Sequence, residues 1–197
     1  NGGGVTILGN NYPPIREAVI RTINETGYLT GLYNEYEKKL AEKICQYYPS
    51  CQKFRMLGSG TEAVMVALRL ARAFTGKDKI VKLKGCYDGW SDHIVYDVRT
   101  VNTGSSFAVG IPADTLKNTS AVMINDIDAL EQRFQENEKD GGTAALIIEP
   151  IGQDSGGVPV QLGYHQKVRE LCDKYGVLLI MDEVVTGFRL GMGGVQA

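Results

Sequence analysis

Leu178-Leu179-Ile180-Met181-Asp182-Glu183-Val184-Val185-Thr186-Gly187 is the stretch on which the reading of the fold turns. Its apolar opening, followed by turn residues, predicts a buried strand of a parallel sheet. Asp182 and Glu183 then stand where that strand leaves the sheet at its carboxyl end, the edge at which open α/β sheets bind ligands. A carboxylate so close to a core is costly unless a cationic or hydrogen-bonding partner meets it. A helix cap or a structural salt bridge would supply that partner. So would a ligand atom that is better charged than neutral, and on these residues alone both readings stay open.

Upstream, the same kind of apolar run alternates with helical patterns. Ala144–Ile148 predicts a second buried strand, ending at Glu149-Pro150, and Gly163–Tyr175 the helix between the two. Ala121–Ile124 and Ile80–Leu83 predict further strands, with a helix from Asp126 to about Glu138 opening on an acidic turn. Phe54–Leu57 predicts a short strand before Gly58-Ser59-Gly60-Thr61-Glu62-Ala63, and a helix from there to about Phe74. Two more helices are expected over Pro14–Asn24, with proline at its start, and Asn34–Tyr48, stopped by Pro49. From about Arg99 to Thr119 the chain is rich in Gly, Ser, Thr and Asn, and a loop of that length is usually either disordered or functional. Strands alternating with helices give an α/β layered fold with a mainly parallel sheet.

Composition narrows the classes. Hydrophobic residues at 43% and charged ones at 22% suit a globular protein, and 197 residues suffice for one sizeable domain. A net charge of −2 leaves no basic footprint for nucleic acid. Four cysteines without a C-x-x-C, beside two histidines, argue against zinc and for a reducing, cytoplasmic setting. No apolar run reaches the ~18 residues of a membrane span. The glycine-rich opening and the ending look cut, and the chain is expected to be a fragment, an incomplete domain.

Ser59-Gly60-Thr61 offers small residues and a helix N-terminus after a strand, the makings of an anion site. The plainer account is that Ser59-x-x-Glu62 is a capping box. Gly58-x-Gly60-x-x-Ala63 also weakly matches a dinucleotide fingerprint. That reading expects an acidic residue at the end of the next strand, where Lys82 and Lys84 stand, so only a 2′-phosphate cofactor would fit. A nucleotide triphosphatase fails for want of G-x-x-x-x-G-K-[ST], and a serine hydrolase for want of G-x-S-x-G. One cofactor unites the pieces if it carries both a phosphate and a basic ring nitrogen. The phosphate would sit at Ser59-Gly60-Thr61, and Asp182 would keep the ring nitrogen protonated so that the ring draws electrons. Tyr87 would stack on one ring face with Val184 against the other; an ordinary packed aromatic is the plain alternative for Tyr87. Pyridoxal phosphate fits this combination.

Leu57-Gly58-Ser59-Gly60-Thr61-Glu62-Ala63, Arg69–Gly76, Gly85-Cys86-Tyr87-x-Gly89, Glu149-Pro150-Ile151 and Asp182-Glu183-Val184-x-Thr186-Gly187-Phe188-Arg189 resemble the class III pyridoxal-phosphate aminotransferases. Within that family the likeness is greatest to the glutamate-1-semialdehyde 2,1-aminomutase branch. The resemblance runs from about Gly9 to Ala197. It implies a fold-type I transferase large domain, with residues 1–50 as its N-terminal helical part and 51–197 as the cofactor-binding region. It also implies a homodimer with active sites at the interface, acting on a small-molecule amino donor and a carbonyl acceptor. By the same resemblance Ser59, Gly60 and Thr61 bind phosphate, Tyr87 stacks, Asp182 pairs with the ring nitrogen, and Val184 packs beneath the ring. Asp154 stands where the family has a residue near the ring hydroxyl, and about Ser91 to Lys117 falls where the aminomutases carry a gating segment. Gly58 replaces the usual Asn. Asp88 replaces the usual His and brings a negative charge close to the ring.

Such enzymes need a lysine that holds the cofactor covalently and moves the proton at the substrate α-carbon. The last lysine here is Lys174, ahead of the Asp182 segment, so residues 1–197 alone are expected not to catalyse transamination. A sister aminotransferase acting on a keto-sugar or keto-acid, and a non-catalytic cofactor-binding or dimerisation module, are the competing readings.

Overall fold

The computed structural model describes residues 4, 6–28, 34–98, 110–152 and 157–196. Among them run α1 (Pro13–Thr26), α2 (Glu35–Tyr47), α3 (Gly60–Thr75), β1 (Lys79–Leu83), α4 (Ala113–Leu116), β2 (Thr119–Val122), α5 (Ile127–Glu138), β3 (Thr143–Ile148), α6 (Tyr164–Tyr175) and β4 (Leu178–Met181). The four strands form one sheet in the order β2-β1-β3-β4, with every pair parallel. This is the parallel α/β layering that the apolar runs predict.

The side-chain period of two divides each strand between two cores. Val81, Leu83, Leu146 and Ile148 face one way, into a cluster with Phe134 of α5 and Val168 of α6. Ile80, Ala145 and Ile147 face the other way and meet Val64 and Leu68 of α3. β3 is buried along its whole length, as a central strand covered on both faces must be. The helices start where side chains satisfy the first-turn N–H groups: Ser59 accepts from Glu62 and Asp126 from Ala129.

The chain divides into two compact units. Leu57–Glu183, with Gln196, holds the sheet; the described residues of Asn1–Met56 gather with Val184–Val195. In this second unit Tyr48 is buried and meets Phe188 edge-on, ring centres 5.2 Å apart. Neither α1 nor α2 contains a buried residue, and Ile15, Val19, Ile20 and Ile23 on α1 are each about half exposed.

Two expectations need correction. Phe54–Leu57 is not a strand: its backbone joins no ladder among the described residues, and a four-residue stretch cannot hold β geometry without a pairing partner. The strand expected at Ala121–Ile124 begins two residues earlier, because Thr119 and Ser120 already pair with Ile80 and Val81 of β1. Much of the expected Arg99–Thr119 loop, residues 99–109, lies outside the described residues. Its far end is the short helix α4 and the start of β2.

Candidate functional site at the carboxyl edge of the sheet

β1, β3 and β4 are neighbours, so whatever follows each strand emerges along one edge. After β1 come Gly85 to Trp90, after β3 Glu149, and after β4 Asp182. Ile148 is the register partner of Met181, which sets Glu149 and Asp182 at the next level up on adjacent strands. The Asp182 N–H donates to the Ile148 carbonyl at 2.8 Å, continuing the ladder one step past the strand. That bond fixes the backbone of Asp182 before its side chain does anything.

The β1 turn is tied in from both sides. The Tyr87 N–H donates to the Glu149 carboxylate, Oε1, at 2.7 Å. The Trp90 N–H donates to Thr61 Oγ1 at 3.2 Å, joining the turn to the first turn of α3. Gly89 makes this approach possible: it sits at φ +106°, and a Cβ there would lie 3.0 Å from Thr61 Cα and 3.1 Å from its hydroxyl. Ser59, Gly60, Thr61, Tyr87 and Asp182 are thus connected through neighbouring hydrogen bonds and backbone contact.

Ser59 caps α3, its hydroxyl accepting from the Glu62 N–H at 3.2 Å, so the capping-box account holds as local structure. Capping and anion binding are compatible, since the remaining first-turn N–H groups of a helix have no partner within it. Gly58 has an ordinary backbone conformation, and what fills the space of a side chain there is the Glu62 carboxylate, 2.6 Å from a built Cβ. Asp154 lies outside the described residues. Val184 belongs to the unit of α1 and α2 and is about half exposed.

Beneath the turn lies a buried ion pair that the strand pattern did not reveal. Lys82 is 0% exposed and Asp88 1%, and Lys82 Nζ stands 3.2 Å from the Asp88 carboxylate. The ammonium also donates to the carbonyls of Cys86 at 2.7 Å and Ile94 at 3.1 Å. An ammonium in a core is tolerable only when its three protons are so met. Two consequences follow. The Asp88 charge expected beside a ring is matched by a cation below it, and Lys82 is spent inside the protein, which removes it from any cofactor 2′-phosphate. Cys86, between them in sequence, is held well above the ordinary thiol range, first by burial and then by the Glu149 and Asp88 charges. The available signal for the pair was a lysine flanked by Ile80, Val81 and Leu83, six residues before an aspartate.

The chain as a whole is similar to known proteins. The family model described as aminotransferase class-III matches residues 1–195. Glutamate-1-semialdehyde 2,1-aminomutase from Ignicoccus hospitalis is 44% identical over 200 residues, covering 100% of this chain and 46% of the relative. A solved omega-transaminase from Sphaerobacter thermophilus superposes with a TM-score of 0.90 at 34% identity, over 100% of this chain and 46% of its own. A transaminase solved with PLP bound gives 0.89 at 29% identity, over 98% and 45%. The chain spans about half the length of the relatives it matches.

Proposed function

The chain belongs to the class III aminotransferases, and from that premise we propose that it forms the cofactor-binding part of a pyridoxal-phosphate enzyme that moves amino groups, of the glutamate-1-semialdehyde 2,1-aminomutase type. The observation that carries the reading is the hydrogen-bonded edge linking Thr61, the Tyr87 turn, Glu149 and the end of β4 beside Asp182. Its donor set suits the group: N–H groups and hydroxyls for a phosphate dianion, and a carboxylate for a protonated ring nitrogen.

In this reading Ser59, Gly60 and Thr61 hold the phosphate at the start of α3. Tyr87 lies against one face of the ring, aimed by the Glu149 bond to its N–H, and Val184 packs on the other. Asp154 approaches the ring hydroxyl. Asp182 keeps a proton on the ring nitrogen, its backbone already fixed by Ile148. Pyridoxal phosphate, when bound, supplies a conjugated ring that draws electrons from the carbon bearing the amino group. Residues 51–197 make the cofactor-binding region and 1–50 its N-terminal helical part. The substrates are a small amino donor and a carbonyl acceptor. A cytoplasmic homodimer completes the reading, supported by the sparse thiols and by the exposed apolar stripe of α1.

The test is Asp182→Asn in the complete protein that carries this chain. Losing a charge-assisted hydrogen bond worth about 1.5–3 kcal/mol lowers kcat by roughly one to two orders of magnitude while pyridoxal phosphate still binds. Unchanged turnover in that variant would overturn the assignment. Residues 1–197 alone, with no lysine after Lys174, are expected to show no turnover. The likeness to an omega-transaminase favours one second reading, a sister enzyme using a keto-acid or keto-sugar acceptor. Assaying glutamate-1-semialdehyde against keto-acid acceptors separates the two.

A further inference from the structure

The four cysteines fall into two pairs of opposite character. Cys86 and Cys172 are fully buried in the sheet unit. Burial is the main cause that raises both thiols, Cys172 to about 12, so neither presents a thiolate to solvent reagents. Cys45 and Cys51 are half-buried, and their sulfurs lie 3.5 Å apart. Cys45 sits in the last turn of α2, and Cys51 follows the turn through Pro49.

We propose that Cys45 and Cys51 are a thiol pair that closes to an intramolecular disulfide by exchange with a low-molecular-weight disulfide, clamping the end of α2 to the segment that follows it. The geometry is prepared by the backbone. Tyr48 N–H donates to Ile44 O at 2.9 Å and ends the helix, and Cys51 N–H donates to Tyr48 O at 2.8 Å and closes the turn. Both cysteine backbones are thus held while the side chains can still rotate. A disulfide needs the sulfurs at about 2.05 Å, an approach of roughly 1.5 Å that two side-chain rotations can supply. What Cys51 gives up in closing is weak, a hydrogen bond from Sγ to the Lys53 carbonyl at 3.5 Å.

The exchange balances without a further reagent. One cysteine thiolate attacks the external disulfide, forming a mixed disulfide and releasing one small thiol. The second cysteine, deprotonated, attacks the protein sulfur of that mixed disulfide and releases the other thiol. Two protein thiols are oxidised and one external disulfide is reduced to two thiols. Tyr48, inside the closed loop, is buried against Phe188, so the clamp stiffens a turn already anchored in its own unit.

The sequence makes the test direct. Trypsin releases Ile44–Lys53 as one peptide carrying both cysteines and no other. The complete protein is incubated with oxidised glutathione, native and mildly alkaline because burial and the Cys45 contact hold the Cys51 thiol above its ordinary range. It is then quenched with an alkylating agent, digested and weighed. The expected product is the peptide lighter by two hydrogen atoms, unalkylated, and restored to the doubly alkylated form by dithiothreitol. Chymotryptic cutting after Tyr47 must leave its halves joined. In Cys45→Ser, Cys51 is expected to stop at the glutathione adduct. A wild-type peptide that stays doubly alkylated, or carries separate glutathione adducts without the linked form, overturns the proposal. Neither result depends on bound cofactor or turnover, so it stands or falls apart from the enzymatic reading.

Discussion

β3 and α1 each contain five apolar residues, yet one element is buried at every residue and the other at none. β3 lies between two strands and under two helical layers, so each of its side chains meets a partner within the same unit. α1 has four apolar residues at helical spacing, each about half exposed. The difference teaches that periodicity identifies the apolar face of an element, while burial depends on whether another element packs against that face.

Substitutions can break or sharpen that contrast, measured as urea-unfolding midpoints of the purified protein. Phe134→Ala, which empties a site at the centre of the larger core, should cost about 3–5 kcal/mol. Lys82→Met should cost a similar about 3–5 kcal/mol, because it strands the Asp88 carboxylate in the interior. If Lys82→Met with Asp88→Leu recovers much of that loss, the penalty belongs to the unpaired charge; if it does not, the bonds to Cys86 and Ile94 dominate. Gly89→Ala combines a left-handed backbone with the Thr61 contact and should cost about 1–3 kcal/mol, disturbing the turn under Tyr87. Ser59→Ala removes a helix cap and should cost about 1 kcal/mol. Gly58→Asn, which only displaces the Glu62 carboxylate, should stay within about 0.5 kcal/mol, and so should Ile20→Ala wherever the protein is monomeric and the α1 stripe stays exposed. A large loss from Ile20→Ala would mean that α1 is covered in solution.

Much of the sheet was legible because its strands are apolar runs with no competing period. The position of Asp182 at the end of β4 was legible for the same reason, since it is the first polar residue after that run. The phosphate-loop candidate could be read as cap or anion site, and the structure shows the cap, which takes the Glu62 N–H. Phe54–Leu57 misled because strand propensity says nothing about whether a ladder partner exists. The Glu149 bond to Tyr87 joins residues 62 positions apart through tertiary geometry, which no local pattern encodes, and the Lys82–Asp88 pair offered only the weak signal of a lysine among apolar strand residues.

Trp90 is the only tryptophan in the chain, and it is 74% exposed while its backbone N–H holds Thr61. All indole fluorescence from these residues therefore originates in the turn that joins the start of α3 to Tyr87. Its baseline is that of a solvated indole, and anything that displaces the Thr61 hydroxyl or covers the turn will change its colour or yield. The molecule carries its own optical probe of the proposed cofactor edge, readable without any assay of turnover.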